Sequence, residues 1–215
     1  MTSIHGSTAA AAFDAALDTL AAARDDVAGR VPFDYDPAPA AARPSPWEAP
    51  RPSLLVGRRS RIVDAWLAMR TGRTSARVLV EEALEAAGET VPLGGLVAEA
   101  SSARSDAIDL DAELASGHDR GPLHGIPMTV KDVIDVAGTP TRAGSDAYDR
   151  TPVADAVAVA RVRAAGAVII GKAATHEFAL GVTSPQSRNP HDTARIPGGS
   201  SGGSAVCVVR GAGLA

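Results

Sequence analysis

The eight residues Gly198 to Ala205 read GGSSGGSA, and they constrain the fold more than any other segment of the chain. Glycine takes positive φ without steric cost, so the backbone around Ser200 and Ser201 is free to form tight turns that other residues forbid. Three readings stay open for such a segment. A flexible linker would join two domains, yet here a polar, turn-rich loop precedes it and an apolar run follows. A phosphate cradle needs a lysine directly after its last glycine. Gly198 and Gly203 have the right separation, but Ser204 stands at the lysine position. The third reading is a catalytic loop that presents a seryl hydroxyl.

The 215 residues suffice for one sizeable domain with a buried core. A net charge of −4 steers toward neither nucleic acid nor an anionic membrane. The single cysteine, Cys207, excludes a disulfide framework and a cysteine-built metal site, and it fits a cytoplasmic protein. No apolar run approaches the roughly 18–20 residues of a membrane span. The Ala-rich N-terminus carries Asp14 and Asp18 and lacks the basic lead of a secretory signal. Aromatic residues make up 3% of the chain, so the core must be built from Ala, Val, Leu and Ile.

Phe13, Leu17 and Leu20 form a helical stripe within 8–29. Seven prolines within 32–53 exclude a regular helix and indicate an extended strap. Residues 1–55 are therefore expected to form an N-terminal helix and Pro-rich strap, separate from the domain at 56–215. Within that domain, helices are expected from Ser60 to Arg70 and from a Thr74 or Ser75 cap to Ala87, the second stopped by Gly88. A short strand at Leu96–Val97 and a helix over 99–115 follow. Ile126 to Val136 reads as a buried strand interrupted by one Lys–Asp pair. A helix over 153–165 and a strand at Ala167–Gly171 complete a βαβ unit. A polar loop over 181–197 leads into the glycine-rich segment, and Ser204 to Val209 begins a helix.

Lys131 lies inside an apolar run, which is unusual for a solvated lysine. It either guards an edge strand from outside or serves as a base. A lysine is a base only when neutral, and the ordinary ammonium pKa is roughly 10.4, so the second role requires desolvation or nearby donors. Strand alternation turns Asp132 to the opposite face. His176-Glu177 lacks the second histidine of a zinc helix, because Leu180 occupies that position. The five histidines show no metal-ligand spacing, and Cys207 reads as a core residue.

Taken together, four segments resemble the amidase signature family. They are GRTSARVLVEEAL (Gly72–Leu84), GPLHGIPMTVKDVIDVAGTPTRAGS (Gly121–Ser145), GAVIIGKAATHEFALGV (Gly166–Val182) and SRNPHDTARIPGGSSGGSA (Ser187–Ala205). They occur in the family's order and cover about 60–215, the N-terminal half of the family's domain. The resemblance implies an α/β fold: a mixed central sheet covered by helices, here truncated and with an N-terminal helical extension. It implies amide hydrolysis by a Ser–cis-Ser–Lys relay without a cofactor or metal. Lys131 resembles the base and Ser200 the bridging serine, with Gly198, Gly199, Ser201, Gly202, Gly203 and Ser204 as its supporting loop. Phe178, Gly181 and Ser184 resemble the substrate-pocket loop. The family's nucleophilic serine and oxyanion loop lie further along, so no nucleophile is assigned in this chain, which alone is expected to be inactive. The partner implied is a small amide once the machinery is completed. A glutamine-hydrolysing amidotransferase of the A type is an alternative. So is a non-catalytic module that associates through the exposed core of its incomplete sheet.

Overall fold

Ser60 begins the first described helix by accepting a hydrogen bond from Ile62 N through its hydroxyl. In this computed structural model residues 60–215 are described; the helix expected over 8–29, the strap over 32–53 and the expected 1–55 unit lie outside them. Helix α1 (Arg61–Arg70) ends before Gly72, as its sequence predicts. Helix α2 (Ala76–Thr90) is capped twice. Ser75 Oγ accepts from Val78 N, and the Asp111 carboxylate accepts from Ala76 N and Arg77 N. The second cap places a negative charge at the helix N-terminus and ties α2 to its neighbour.

Helix α2 runs through Gly88, the expected stop. Ala87 and Thr90 are buried, and Thr90 Oγ1 both donates to Ala87 O and accepts from Leu96 N. Those interactions outweigh the roughly 1 kcal/mol cost of a mid-helix glycine. A 3-10 turn (Val91–Leu93) follows, and the break falls at Gly94, where φ is +62°.

Three strands form one mixed sheet in the order β1 (Leu96–Glu99), β3 (Val168–Ala173), β2 (Pro127–Lys131). Strand β1 runs antiparallel to β3, and β2 runs parallel to it. Helix α3 (Ala103–Ala115) follows β1, and α4 (Val157–Ala164) connects β2 to β3, the expected βαβ crossover. Helix α4 starts later than its sequence suggests because the residues before it are used otherwise. Asp155 accepts from Ala137 N, and Ala156 N donates to Asp135 O. Every residue of β3 is buried. Val168 and Ile170 enter a core shared with Val80, Leu84, Leu110 and Cys207, while Ile169 enters a second cluster with Val130, Val136 and Val159. The alternation puts apolar packing on both faces of the central strand.

Two strand ends differ from expectation in complementary ways. Strand β2 stops at Lys131, five residues before the expected Val136, in a turn closed by Ile134 N donating to Lys131 O. Strand β3 continues past Gly171 and carries Lys172 into the interior. Asp132, just beyond β2, still donates its N–H to Ala173 O and pairs with Lys172 on the face that Val130 shares. The outer edge of β2 is covered by residues 213–215: Leu214 N donates to Pro127 O, and Thr129 N donates to Ala215 O. Helix α5 (Gly202–Arg210) starts two residues before Ser204. No described helix is long and apolar enough to cross a membrane.

Cys207, on α5, has no exposed surface, and burial pushes its thiol up to about 11 against the opposing effect of a hydrogen bond with Thr90. At pH 8 the thiol is therefore expected to resist a disulfide reagent in the native protein and to react fully once guanidinium unfolds it. Immediate labelling of the native protein would contradict the packing of α5. Gly88 has open space where a Cβ would stand. Gly88→Ala should accordingly raise stability to chemical denaturation by about 0.5–1 kcal/mol.

Candidate active site

Lys131 ends β2, and Ser200 sits on the loop that enters α5. The fold brings them together across 69 residues of sequence, with Lys131 Nζ donating to Ser200 Oγ at 2.6 Å. Lys131 therefore faces the serine loop and is not an outward-turned gatekeeper. The Gly199–Ser200 peptide is cis, the form the family resemblance implies for the bridging serine.

The Ser200 main chain is held by a convergence of donors on its carbonyl oxygen. His176 N donates at 3.0 Å, Thr175 Oγ1 at 3.0 Å and Ser184 Oγ at 3.1 Å. Ser184 Oγ also accepts from Gly202 N, which ties the serine loop to the first turn of α5. The Ser200 hydroxyl takes no part in that scaffold. It accepts from Lys131 and makes no second hydrogen bond among the described residues. A hydroxyl carries one proton to donate and two acceptor sites, so its own proton is available to another group.

The glycines of the loop are explained by space. A Cβ at position 199 would overlap the Thr183 carbonyl, one at 202 the Ser184 side chain, and one at 203 the Ala174 backbone. Gly198 has room around it but takes φ +92°. Each of the four positions thus excludes a side chain by contact or by conformation. Gly203 N also donates to Ala174 O, fixing α5 against the end of β3. The hydroxyls of Ser201 and Ser204 make no hydrogen bond among the described residues. The side-chain hydrogen bonds to the Ser200 carbonyl come from Thr175 and Ser184.

The remaining residues of the expected pocket divide. Phe178 is 40% exposed, takes φ +46° and meets Tyr148 edge-on at 5.9 Å between centroids. Its N–H donates to the carbonyl of Ala143, another residue at positive φ. Positive φ at non-glycine residues is a form of strain that clusters at functional sites. Both residues border a cleft of about 300 Å³ that Val133, Tyr148 and Arg150 help to line. Gly181 approaches the His176 ring too closely for a side chain. Ser184 is fully buried and committed to the loop, so the structure gives it a scaffold position away from open solvent. A concavity of about 690 Å³ between α1, α2 and α3 includes none of these residues.

Two features escape a reading of the sequence. Thr175 gives no signal, because a lone threonine after an alanine-rich strand has no pattern. Lys172 does give one, since it continues the apolar run AVIIGKAA much as Lys131 continues its own. Lys131 and Lys172 are the two lysines among 21 basic residues; every other one is arginine. Lys172 is wholly buried. Its Nζ lies 2.9 Å from Asp132 Oδ1 and donates to Thr141 Oγ1 at 2.7 Å. Asp132 lies on the face of Val130 and Lys172 and is engaged away from Lys131, as strand alternation predicts. Among the described residues no group of three His, Cys, Asp or Glu side chains could hold a metal ion.

The family model described as Amidase matches residues 79–215. The chain belongs to the amidase signature family. Among amidase signature relatives, the A-type component of the glutamyl-tRNA(Gln) amidotransferase of Roseiflexus castenholzii is 50% identical over 122 residues, covering 54% of this chain and 25% of the relative. The AtzE component of the 1-carboxybiuret hydrolase of a Pseudomonas species is 43% identical over 153 residues, covering 66% of this chain and 33% of the relative. A crystal structure of an amidase superposes with a TM-score of 0.65 at 45% identity, covering 71% of this chain and 37% of that one. The peptide amidase of Stenotrophomonas maltophilia gives a TM-score of 0.64 at 34% identity, with 68% and 33% covered. The chain thus spans between a quarter and somewhat over a third of the length of these amidase signature proteins.

Gly203→Ala should destabilise the protein by about 1–3 kcal/mol, because the added methyl meets backbone that has no room to retreat. Urea unfolding checks this, and an unchanged midpoint would contradict the close approach of α5 to Ala174.

Proposed function

We propose that Lys131 and Ser200 are the base and the bridging serine of an amide-hydrolysing relay, in which a third residue supplies the nucleophilic hydroxyl. The observation that carries this reading is the 2.6 Å contact between Lys131 Nζ and Ser200 Oγ, with the Ser200 carbonyl held separately and its hydroxyl proton uncommitted. In its neutral form Lys131 accepts the Ser200 proton, and Ser200 accepts the proton of the nucleophile. The nucleophile then attacks the amide carbonyl carbon. When the tetrahedral intermediate collapses, the C–N bond breaks and the same relay returns a proton to the departing nitrogen. Water then attacks the acyl group and gives its proton to the same relay, which returns it to the nucleophile's oxygen as the acyl–oxygen bond breaks. The substrate class is a small carboxylic amide.

The nucleophile and the donors that stabilise the oxyanion are assigned to sequence outside these 215 residues. Neither Ser201 nor Ser204 makes a hydrogen bond with Ser200, which supports that assignment. A second reading places this chain in an assembly, working as the A-type component of an amidotransferase or as a partner-binding module. It is favoured by two relatives whose names mark them as parts of larger enzymes. It also draws on an apolar lip beside Phe178, where Leu180 is 81% and Val182 86% exposed. Apolar groups clustered next to a site suit a covering partner.

Ammonia release from propionamide, benzamide and glutamine tests the relay. The 215-residue chain by itself should give none. Co-expressed with the C-terminal portion of a full-length amidase, it should give turnover. Lys131→Ala and Ser200→Ala should each lower that turnover by roughly 10²–10⁴-fold, the usual contribution of acid–base catalysis. Full turnover in either variant would overturn the assignment.

A further inference from the structure

We propose that the cleft of about 300 Å³ beside Phe178 binds the neutral aromatic ring of a small aryl amide. The proposal rests on the relay reading for the amide and on the cleft itself for the ring. It begins from the scarcity of aromatic side chains. Residues 60–215 contain three of them, Trp66, Tyr148 and Phe178. Two of the three meet edge-on at one cleft, 5.9 Å apart between centroids. Phe178 is 40% exposed there, and Val133 beside it is 36% exposed. A ring left open to water forgoes the favourable burial that aromatic side chains otherwise gain, and a second ring laid against it restores that burial.

The cleft wall is held from several sides. Phe178, at φ +46°, donates its N–H to the carbonyl of Ala143, at φ +54°. Ala143 N donates to Asp132 O, and the buried Lys172 donates to Thr141 Oγ1 at 2.7 Å. Ser145 Oγ donates to Glu177 Oε1 at 2.7 Å, and a Cβ at Gly144 would overlap Thr175 O. The loops that carry Ala143 and Phe178 are thus braced against each other. A cleft formed before its ligand arrives costs less to fill.

The lining selects a neutral ring. Val133, Ala143, Tyr148 and Phe178 supply the apolar surface. Asp135 and Arg150 are the charged residues of the lining, and Arg150 donates to the Asp135 carboxylate. That carboxylate, with a smaller effect of Tyr148, pushes the Arg150 guanidinium up from its ordinary value. Each charge is answered by the other, so an anionic or zwitterionic ligand such as glutamine meets no free counter-charge in this lining. Ligand pockets range over roughly 300–1,000 Å³, and a volume at the lower end suits one ring with a short substituent. Position ties the cleft to amide chemistry. Val133 lies two residues beyond Lys131, and Phe178 two beyond His176, whose N–H donates to Ser200 O. The cleft walls therefore continue the two segments that carry Lys131 and hold Ser200.

The full chain tests this by NMR, with isotope labels in the rings of its three phenylalanines and two tyrosines and in its two lysines. Phe178→Ala, Tyr148→Leu and Lys131→Ala assign the signals, and protection of the Cys207 thiol checks the folding of each variant. Benzamide should shift the Phe178, Tyr148 and Lys131 signals along one saturation curve. Propionamide and glutamine should leave both rings unmoved. Phe178→Ala should weaken benzamide binding by roughly 10-fold. Terephthalamate, the same ring with a carboxylate, should bind the parent chain more weakly than benzamide. In Asp135→Asn, which leaves Arg150 unpaired, that order should reverse. Rings that ignore benzamide, or that respond equally to propionamide, would overturn the proposal and leave the relay reading standing. Ring shifts without a Lys131 shift would overturn it too, because the ring would then bind apart from the relay. The relay reading fails separately, if Ser200→Ala leaves the Lys131 signal of the ligand-free chain unchanged. Should Phe178→Ala fail to fold, Asp135→Asn decides: an unchanged order of the two ligands overturns the proposal.

Discussion

One hydrogen bond, from Lys131 to Ser200, joins the end of a strand to the start of a helix, and the surrounding structure serves to keep its two ends in register. The parallel pairing of β2 with β3 sets the position of Lys131. The three donors that converge on the Ser200 carbonyl set the position of the serine loop, and two of them come from Thr175 and His176, directly after β3. Strand β3 is therefore common to both ends. Its complete burial makes it the least movable element available for the purpose.

The division of labour at Ser200 follows from its chemistry. Backbone hydrogen-bonding groups buried without partners are costly, so the carbonyl is satisfied by the scaffold. The side-chain hydroxyl then stays out of the structural network and is left for proton transfer. The same economy appears in the glycines. Gly199, Gly202 and Gly203 bring backbone against backbone at distances no side chain allows, so α5 lies directly on the end of β3. Two lysines with opposite tasks meet beside this junction. One is partly buried and faces the serine loop; the other is fully buried and faces a carboxylate.

Much of this is legible in the sequence, and the exceptions have physical causes. A helix from about Ser60, a cap at Thr74 or Ser75 and the crossover between β2 and β3 follow from turn chemistry and apolar runs, and the resemblance to the amidase signature family implies the pairing of Lys131 with Ser200. The end of α2 departs from local propensity because the glycine signal at Gly88 yields to the burial of Thr90, which is a tertiary effect. Strand β2 ends in the turn after Lys131, and β3 runs on to bury Lys172; the Lys172–Asp132 pair found there joins residues 40 apart, and no local pattern announces it. Ser184 carries a motif resemblance but not its orientation, which depends on the loop folding back onto α5.

The most direct test of the central claim is a double-mutant cycle on amide turnover in the complemented hydrolase, using Lys131→Ala, Ser200→Ala and the pair. A base that acts through the bridging serine is useless once the serine is gone. The double variant should then be no slower than the slower single variant, as expected for residues that act as a unit. A loss equal to the product of the two single losses would show that Lys131 and Ser200 act independently, and would contradict the relay.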